Sequence, residues 1–408
     1  MEIEGILREF GLVLAVGLVS VPIARLLHLP LMVVLVVAGV IAGQSVTGLL
    51  SIPLGGVGTE LVFTLGVALI LFHGGLGISL RVISKTAVGL LLLAVPGVML
   101  TAAIVAVAVM PLFGVSFQIA LLAGAVLAAT DPAILIPLFD SLGLRAKVAQ
   151  TVVAESAIND PMGAILSLTV AGVVTAGSLD GFGPATDFAR SIVIGIVLGV
   201  VAGLALAVLL SSHWSGVLRD SPAATLLALV ALVYFSAEAI GGSAYLAAFI
   251  AGVIVGNKEL LRISHHDHHE QLFEGYVAQT TNIVVLAVFV ILGVNLDLGL
   301  LLDNLVPGLI TMAVFILIAR PVTVGLCLIP DRRGRWTRRE LVFISWCRET
   351  GVVPVAIAGA LLSDQVPGAE LVSTLVTFAV LVTLLLQATT AGWLAARLGL
   401  LDGATEPR

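Results

Sequence analysis

Thr130-Asp131-Pro132 and Glu155-Ser156-Ala157-Ile158-Asn159-Asp160-Pro161 interrupt two long apolar stretches of this chain. They place three carboxylates close together in sequence that otherwise reads as lipid-soluble helix. A charge at the centre of a bilayer costs roughly 2.5–3.5 kcal/mol or more, so such residues face a water-filled cavity and mark an ion or proton path. The function is expected at these two clusters.

Composition fixes the class. Of 408 residues 59% are hydrophobic and 11% charged, with a mean hydropathy of +1.18. Soluble domains carry about 25% charged residues, so an all-α polytopic membrane protein is expected. Cys327 and Cys347 lie in apolar segments and imply no disulfide framework. The run Arg332 to Arg339 reads as a topology mark that meets lipid headgroups, not as a nucleic-acid surface. Met1-Glu2-Ile3-Glu4 lacks the basic start of a cleaved signal, so the first apolar segment is expected to be retained.

Apolar runs of about twenty residues, the length that crosses a bilayer, fall near 5–27, 30–50, 57–79, 86–110, 116–140, 146–176, 187–211, 221–239, 243–257, 272–296, 301–329, 338–363 and 370–399. These are spans one to thirteen. Arg25, Arg81, Lys85, Arg145, Lys147, Arg219, Lys258, Arg262, the Arg332 run, Arg397 and Arg408 then share one side of the membrane. The other side has only Arg8 and Arg190. Basic residues mark the cytoplasmic face, which predicts an N-terminus outside, a cytoplasmic C-terminus and an odd number of spans.

An internal repeat is visible. Ala38-Gly39-Val40-Ile41-Ala42-Gly43-Gln44 in span two recurs as Ala251-Gly252-Val253-Ile254-Val255-Gly256-Asn257 in span nine. Gly74-Gly75-Leu76-Gly77-Ile78-Ser79-Leu80 closing span three returns as Leu292-Gly293-Val294-Asn295-Leu296-Asp297-Leu298 closing span ten. Seven spans separate the members of each pair, and an odd separation reverses orientation. Spans one to six therefore answer spans eight to thirteen as inverted repeats, the pattern of secondary transporters.

The interruptions match too. Pro132 removes a backbone donor and disfavours helix at Asp131, which predicts a break in span five. Span twelve has Arg348-Glu349-Thr350-Gly351 followed by Pro354. Two broken helices that cross would oppose their half-helix ends, with Asp131 answering positive N-terminal ends and Arg348 negative C-terminal ends. In span six, Ser156 and Asp160 are helical i,i+4 neighbours, as are Glu155 and Asn159 one step round. The first stripe would face the crossover, and the second would face a fixed partner, for which Arg348 is the candidate. Ligands that are all oxygen suit a hard cation.

These motifs resemble the NhaP/NHE branch of the monovalent cation/proton antiporter superfamily, and the thirteen spans extend the resemblance over nearly the whole chain. The resemblance implies that Asp131 and Asp160 bind the cation, assisted by Ser156 and the Thr130 backbone carbonyl. It implies a structural cluster of Glu155 and Asn159 with an arginine of span twelve, and it matches Arg320 to an arginine of span eleven. It further implies a homodimer, with 1–84 and 187–300 as dimerisation and scaffold helices and 85–176 and 301–400 as a six-helix transport core. Residues 401–408 would be a short cytoplasmic tail. Asn159 before Asp160 resembles the electroneutral members, which exchange one proton per cation. The expected activity is therefore Na+/H+ exchange by alternating access in the plasma membrane, without a cofactor. K+ or Li+ are the other candidate cargoes, and a non-exchanging channel or ion-sensing membrane protein is the reading from another class.

Two positions depart from the family pattern. Where an acid is usual in span three, this chain has Leu71-Phe72-His73-Gly74-Gly75-Leu76. His73 is either a satisfied polar residue at a helix contact or a neutral ligand, relay or pH sensor. In span twelve, Cys347-Arg348-Glu349-Thr350-Gly351 shifts the arginine by two places, and Glu349 is a candidate to restore the charge missing at His73. His265-His266-Asp267-His268-His269-Glu270 reads as a solvated cytoplasmic linker, with transition-metal binding as the alternative.

Overall fold

Each of the thirteen expected spans is met by helix in the computed structural model, which describes residues 3–27, 29, 31–53, 56–83, 86–130, 139, 142–176, 183–210, 221–259, 268–296 and 298–401. Nine helices among the described residues are long and apolar enough to cross a membrane. They include Ile3–Leu27, Val57–Leu76, Ala146–Ala176, Gly183–Leu210 and His268–Val294, in spans one, three, six, seven and ten. Shorter apolar helices supply the rest: Leu31–Ala42 in span two, Phe117–Ala128 in five, Ala244–Gly256 in nine and Val352–Ser363 in twelve. The shortened spans are thus two repeat pairs, two with nine and five with twelve. A helix of twelve residues covers only about 18 Å, well short of a bilayer core of about 30 Å. Span two is accordingly shorter than its apolar run suggests. Its helix stops at Ala42, and the chain turns through Gly48 at φ 66°, a left-handed conformation that glycine adopts at no steric cost.

The chain forms two compact units. One comprises Met1–Glu60, Lys85–Leu179 and Leu286–Arg408, and the other Leu61–Ser84 and Asp180–Val285. Within the first, Gly39 and Gly43 of span two lie directly against the carbonyls of Val290 and Val294 in span ten, and Gly293 lies against the carbonyl of Val36. Within the second, Gly252 and Gly256 of span nine lie against the carbonyls of Phe72 and Leu76 in span three, and Gly75 against that of Phe249. Neither seam has space for a Cβ. Small residues allow this backbone-to-backbone approach where apolar side chains gain nothing over lipid. The two seams use equivalent residues of the repeat, so the echo in sequence is a repeated packing contact.

The first unit also has an apolar core where spans four, six, eleven, twelve and thirteen meet, with Leu93, Val148, Val324, Phe343 and Ala395 buried together. Phe139 and Phe343 pack there with ring centroids 6.0 Å apart. At one end of this core, Lys147 bonds both oxygens of Glu340 at 3.0 Å and lies 4.3 Å from the ring centre of Trp336. Glu340 in turn completes a capping box with Thr337 at the start of the helix Arg338–Trp346.

Candidate ion-binding site

Span five starts regularly, with the Ser116 hydroxyl accepting the Ile119 N–H, and its helix ends at Ala128. Ala129 is extended at φ −73° and ψ 145°. Pro132 has no N–H to return to the Ala128 carbonyl, four residues back, where the helix ends. The extended backbone frees the Thr130 N–H, which donates to Asn159 Oδ1 at 3.1 Å. The Thr130 hydroxyl lies 2.7 Å from the Ser156 hydroxyl and accepts from Asn159 Nδ2 at 2.9 Å. Span six thereby grips the break of span five through two side chains.

The span-six helix runs straight through Pro161. Proline has no N–H, so the Ala157 carbonyl within the polar turn loses its usual helical donor. Asp160 follows Asn159 on this turn and is only 1% exposed. Glu155, Ser156 and Asn159 are buried beside it.

Glu155 forms the best-defined ion pair of the site. Arg320 donates from both terminal nitrogens to the two Glu155 oxygens, each at 2.6 Å, and its Nε donates to the Ile344 carbonyl at 3.2 Å. Asn159 Nδ2 adds a bond of 3.3 Å to Glu155 Oε1. This planar fork-to-fork geometry is the strong form of a carboxylate pair. The partner is therefore Arg320 of span eleven, where Arg348 of span twelve was expected. The reason lies in span eleven itself, which passes through a π-helical stretch, Phe315–Ala319, directly before Arg320. Pro321 cannot supply the N–H that residue 317 would accept in an α-helix, and a π-turn absorbs that defect. Asn159 bonds both Glu155 and Thr130, so it ties its stripe of span six to the break of span five.

Arg348 has a different task. The helix Arg338–Trp346 stops, Cys347 is extended at φ −79° and ψ 98°, and helix resumes only at Val352. From this break Arg348 donates to the carbonyl of Ala128, the last residue of the span-five helix. A cation thus answers the negative end of that half-helix, the arrangement that opposed helix ends require. Its guanidinium carbon lies 5.1 Å from the centre of the Phe315 ring.

The span-twelve break is gripped by span thirteen as the span-five break is by span six. The Thr350 N–H donates to the Thr383 hydroxyl at 3.1 Å. Gln387 Nε2 donates to the carbonyl of Trp346, where the helix ends. Thr383 and Gln387 lie in a second π-helical stretch, Thr383–Ala388. Neither stood out in sequence, because an isolated threonine or glutamine in an apolar run looks like any tolerated polar residue.

The structure therefore brings together Thr130, Glu155, Ser156, Asn159, Asp160, Arg320 and Arg348 in the first unit. Glu349 is fully buried in the same break as Arg348. His73 belongs to the second unit, half-buried near the end of the helix Val57–Leu76. Asp131 lies outside the described residues, as do His265, His266 and Asp267 of the histidine-rich stretch.

With this geometry in view, the family model for the transmembrane part of sodium/hydrogen exchangers matches residues 11–397. The chain belongs to the sodium/hydrogen exchanger family. A K(+)/H(+) antiporter NhaP2 of Shewanella sp. (strain MR-4) is 31% identical to this exchanger-family chain over 398 residues, 94% of the chain. The chain spans 66% of that relative's length. A probable Na(+)/H(+) antiporter 2 of Methanocaldococcus jannaschii is 28% identical over 301 residues, covering 68% of this chain and 69% of the relative. The fold matches that of the sodium proton antiporter MjNhaP1 of Methanocaldococcus jannaschii with a TM-score of 0.81 at 24% identity, over 100% of both chains.

Proposed function

We propose that this multi-pass membrane protein exchanges a monovalent cation for protons by alternating access, with Na+ as the cargo. Asp131 and Asp160 carry the cation or the proton, and Ser156 and Thr130 supply neutral oxygens. The observation that carries this reading is the buried Asp160 beside the Thr130–Ser156–Asn159 network, set at a helix break in a chain of the exchanger family. The geometry divides the labour. Glu155 is already neutralised by Arg320, so it holds the scaffold, and Asp160 is the proposed carrier of the exchanged charge. An ionised carboxylate is costly to carry through an apolar barrier. A bound proton and a bound cation each remove that cost, so the two compete for one site and exchange is coupled without ATP.

Asn159 adds no charge beside Asp160, which supports exchange of one proton per cation and no net current. The proposed assembly is a homodimer in the plasma membrane, with 1–84 and 187–300 as scaffold and 85–176 and 301–400 as the moving core. The N-terminus would lie outside and the C-terminus in the cytoplasm. Potassium is the second reading, favoured by the Shewanella relative, which is named a K(+)/H(+) antiporter.

Asp160→Ala in proteoliposomes tests the site, by following the recovery of an internal pH dye on addition of Na+, K+ or Li+. Complete loss of cation-dependent proton flux is expected in the variant, and retained exchange overturns the assignment. In the unmodified protein the most effective ion identifies the cargo. A voltage-driven current without proton counterflow would make the protein a channel.

A further inference from the structure

The turn between spans eleven and twelve is folded more tightly than a connector needs. Asp331 is buried there and accepts the Arg333 N–H at 3.2 Å and the Trp336 ring N–H at 3.3 Å. Gly334 lies against both Asp331 and the Trp336 ring, with no space for a Cβ. Arg335 has φ 45°, a left-handed conformation that is costly for any residue but glycine. Lys147 of span six holds this shape, donating to the Arg335 carbonyl at 3.3 Å beside its bonds to Glu340. Backbone strain persists only where the surroundings over-determine it, and it gathers at functional sites. Here every arginine of the run Arg332 to Arg339 is exposed.

Two further segments extend this basic rim. The Arg145 N–H donates to the Leu400 carbonyl at 2.9 Å, which joins the start of span six to the end of span thirteen. A Cβ at Gly399 would stand 3.7 Å from Arg339 Nη1, so the run meets the same junction. Arg145 and Arg397 are exposed beside it. Among the described residues of the three segments the acids are Asp331 and Glu340, and both are buried and bonded within the fold. The exposed charge is therefore all positive. The helices that lead to the rim are apolar and open to their surroundings: Ile329 is 68% exposed just before the run, and Val342 is exposed just after it. Trp393 is 61% exposed one turn before Arg397, whose guanidinium carbon lies 5.2 Å from the centre of its ring. Tryptophan and arginine at the end of a spanning helix mark the headgroup level of a bilayer. A soluble anion would need the rim alone. A cationic rim above an apolar wall fits a molecule that is phosphate at one end and acyl chain at the other.

We propose that this rim is a binding site for the phosphate headgroup of an anionic phospholipid, whose acyl chains lie along the exposed apolar side chains that border it. A headgroup seated there bridges the start of span six, the turn between spans eleven and twelve, and the end of span thirteen. It also offsets the mutual repulsion of arginines that have no exposed acid among them. The site does not rest on the proposed role of Asp160.

The test reconstitutes the full chain in phosphatidylcholine and titrates brominated phosphatidylglycerol against brominated phosphatidylcholine, reading the tryptophan fluorescence that bromine quenches on contact. Trp393→Phe identifies the share of the signal that comes from Trp393. The unmodified protein is expected to prefer phosphatidylglycerol by more than about tenfold, since each basic residue near an anionic headgroup contributes about fivefold. Arg332→Gln, Arg333→Gln and Arg338→Gln together should abolish the preference and leave phosphatidylcholine binding unchanged. In the unmodified protein the preference should also fall as ionic strength rises. Equal affinity for the two lipids, a preference retained in the triple variant, or one insensitive to salt would overturn the proposal. Inorganic phosphate is the soluble source of the same chemistry. Its failure to displace phosphatidylglycerol at millimolar concentration is expected, and displacement would replace the lipid site with one for a soluble anion.

Discussion

The breaks in spans five and twelve are built on one plan and carry different charges. Each follows a short helix, at Ala128 and at Trp346, and each presents a threonine N–H to a side chain of the next span. Asn159 receives the first and Thr383 the second. Beyond that the two diverge. The first break leads into Asp131 and is backed by Ser156 and Asp160, whereas the second contains Arg348 and Glu349. On the proposed reading, a shared hydrogen-bond frame serves cargo binding in one half of the repeat and countercharge in the other.

If that division is right, the frame of the first break should depend on an ion pair that has no described counterpart in the second. Glu155→Gln leaves Arg320 buried beside a neutral amide, and breaking one partner of a buried pair costs about 3–5 kcal/mol. Thermal unfolding in detergent should show this as the largest loss of the series. Glu155→Met combined with Arg320→Met should recover most of it, because removing both charges leaves neither unpaired. A double variant as unstable as the single one would contradict the pairing.

The glycine seams sharpen the comparison at the level of packing. Gly39→Ala and Gly252→Ala each push a methyl group into a carbonyl of the facing span. Overpacking of this kind costs about 1–3 kcal/mol, and equivalent positions should lose similar amounts. A marked inequality, measured by the same unfolding assay, would mean that the two seams are packed to different tolerances.

The smallest effect belongs to Lys147, at the start of span six. Its contact with Glu340 is partly exposed, at 35% for the lysine side chain, so Lys147→Ala should cost only about 0.2–1 kcal/mol. The difference from the unmodified protein should shrink further at high salt. A loss exceeding that of the glycine variants would make this contact a structural latch and not a surface ion pair.

Much of the architecture was legible in sequence because the physics behind it is local. The glycine echoes are visible since only glycine permits backbone contact, and the breaks announce themselves through Pro132 and through the charged run Arg348-Glu349. The partner of Glu155 was not legible. Two arginines of adjacent spans compete for it, and which one arrives depends on a π-turn that shifts every later side chain around the helix axis. Thr383 and Gln387 were hidden for a similar reason. Their importance lies in which backbone groups they meet, and those groups become free only because the opposite helix has stopped.

The bond from Arg348 to the Ala128 carbonyl has a consequence for how such a chain can have arisen and can change. Because Arg348 of one half answers a helix end of the other, neither half can be duplicated or exchanged alone without leaving that end unanswered. The repeat has become a lock and its key, cut from the same blank.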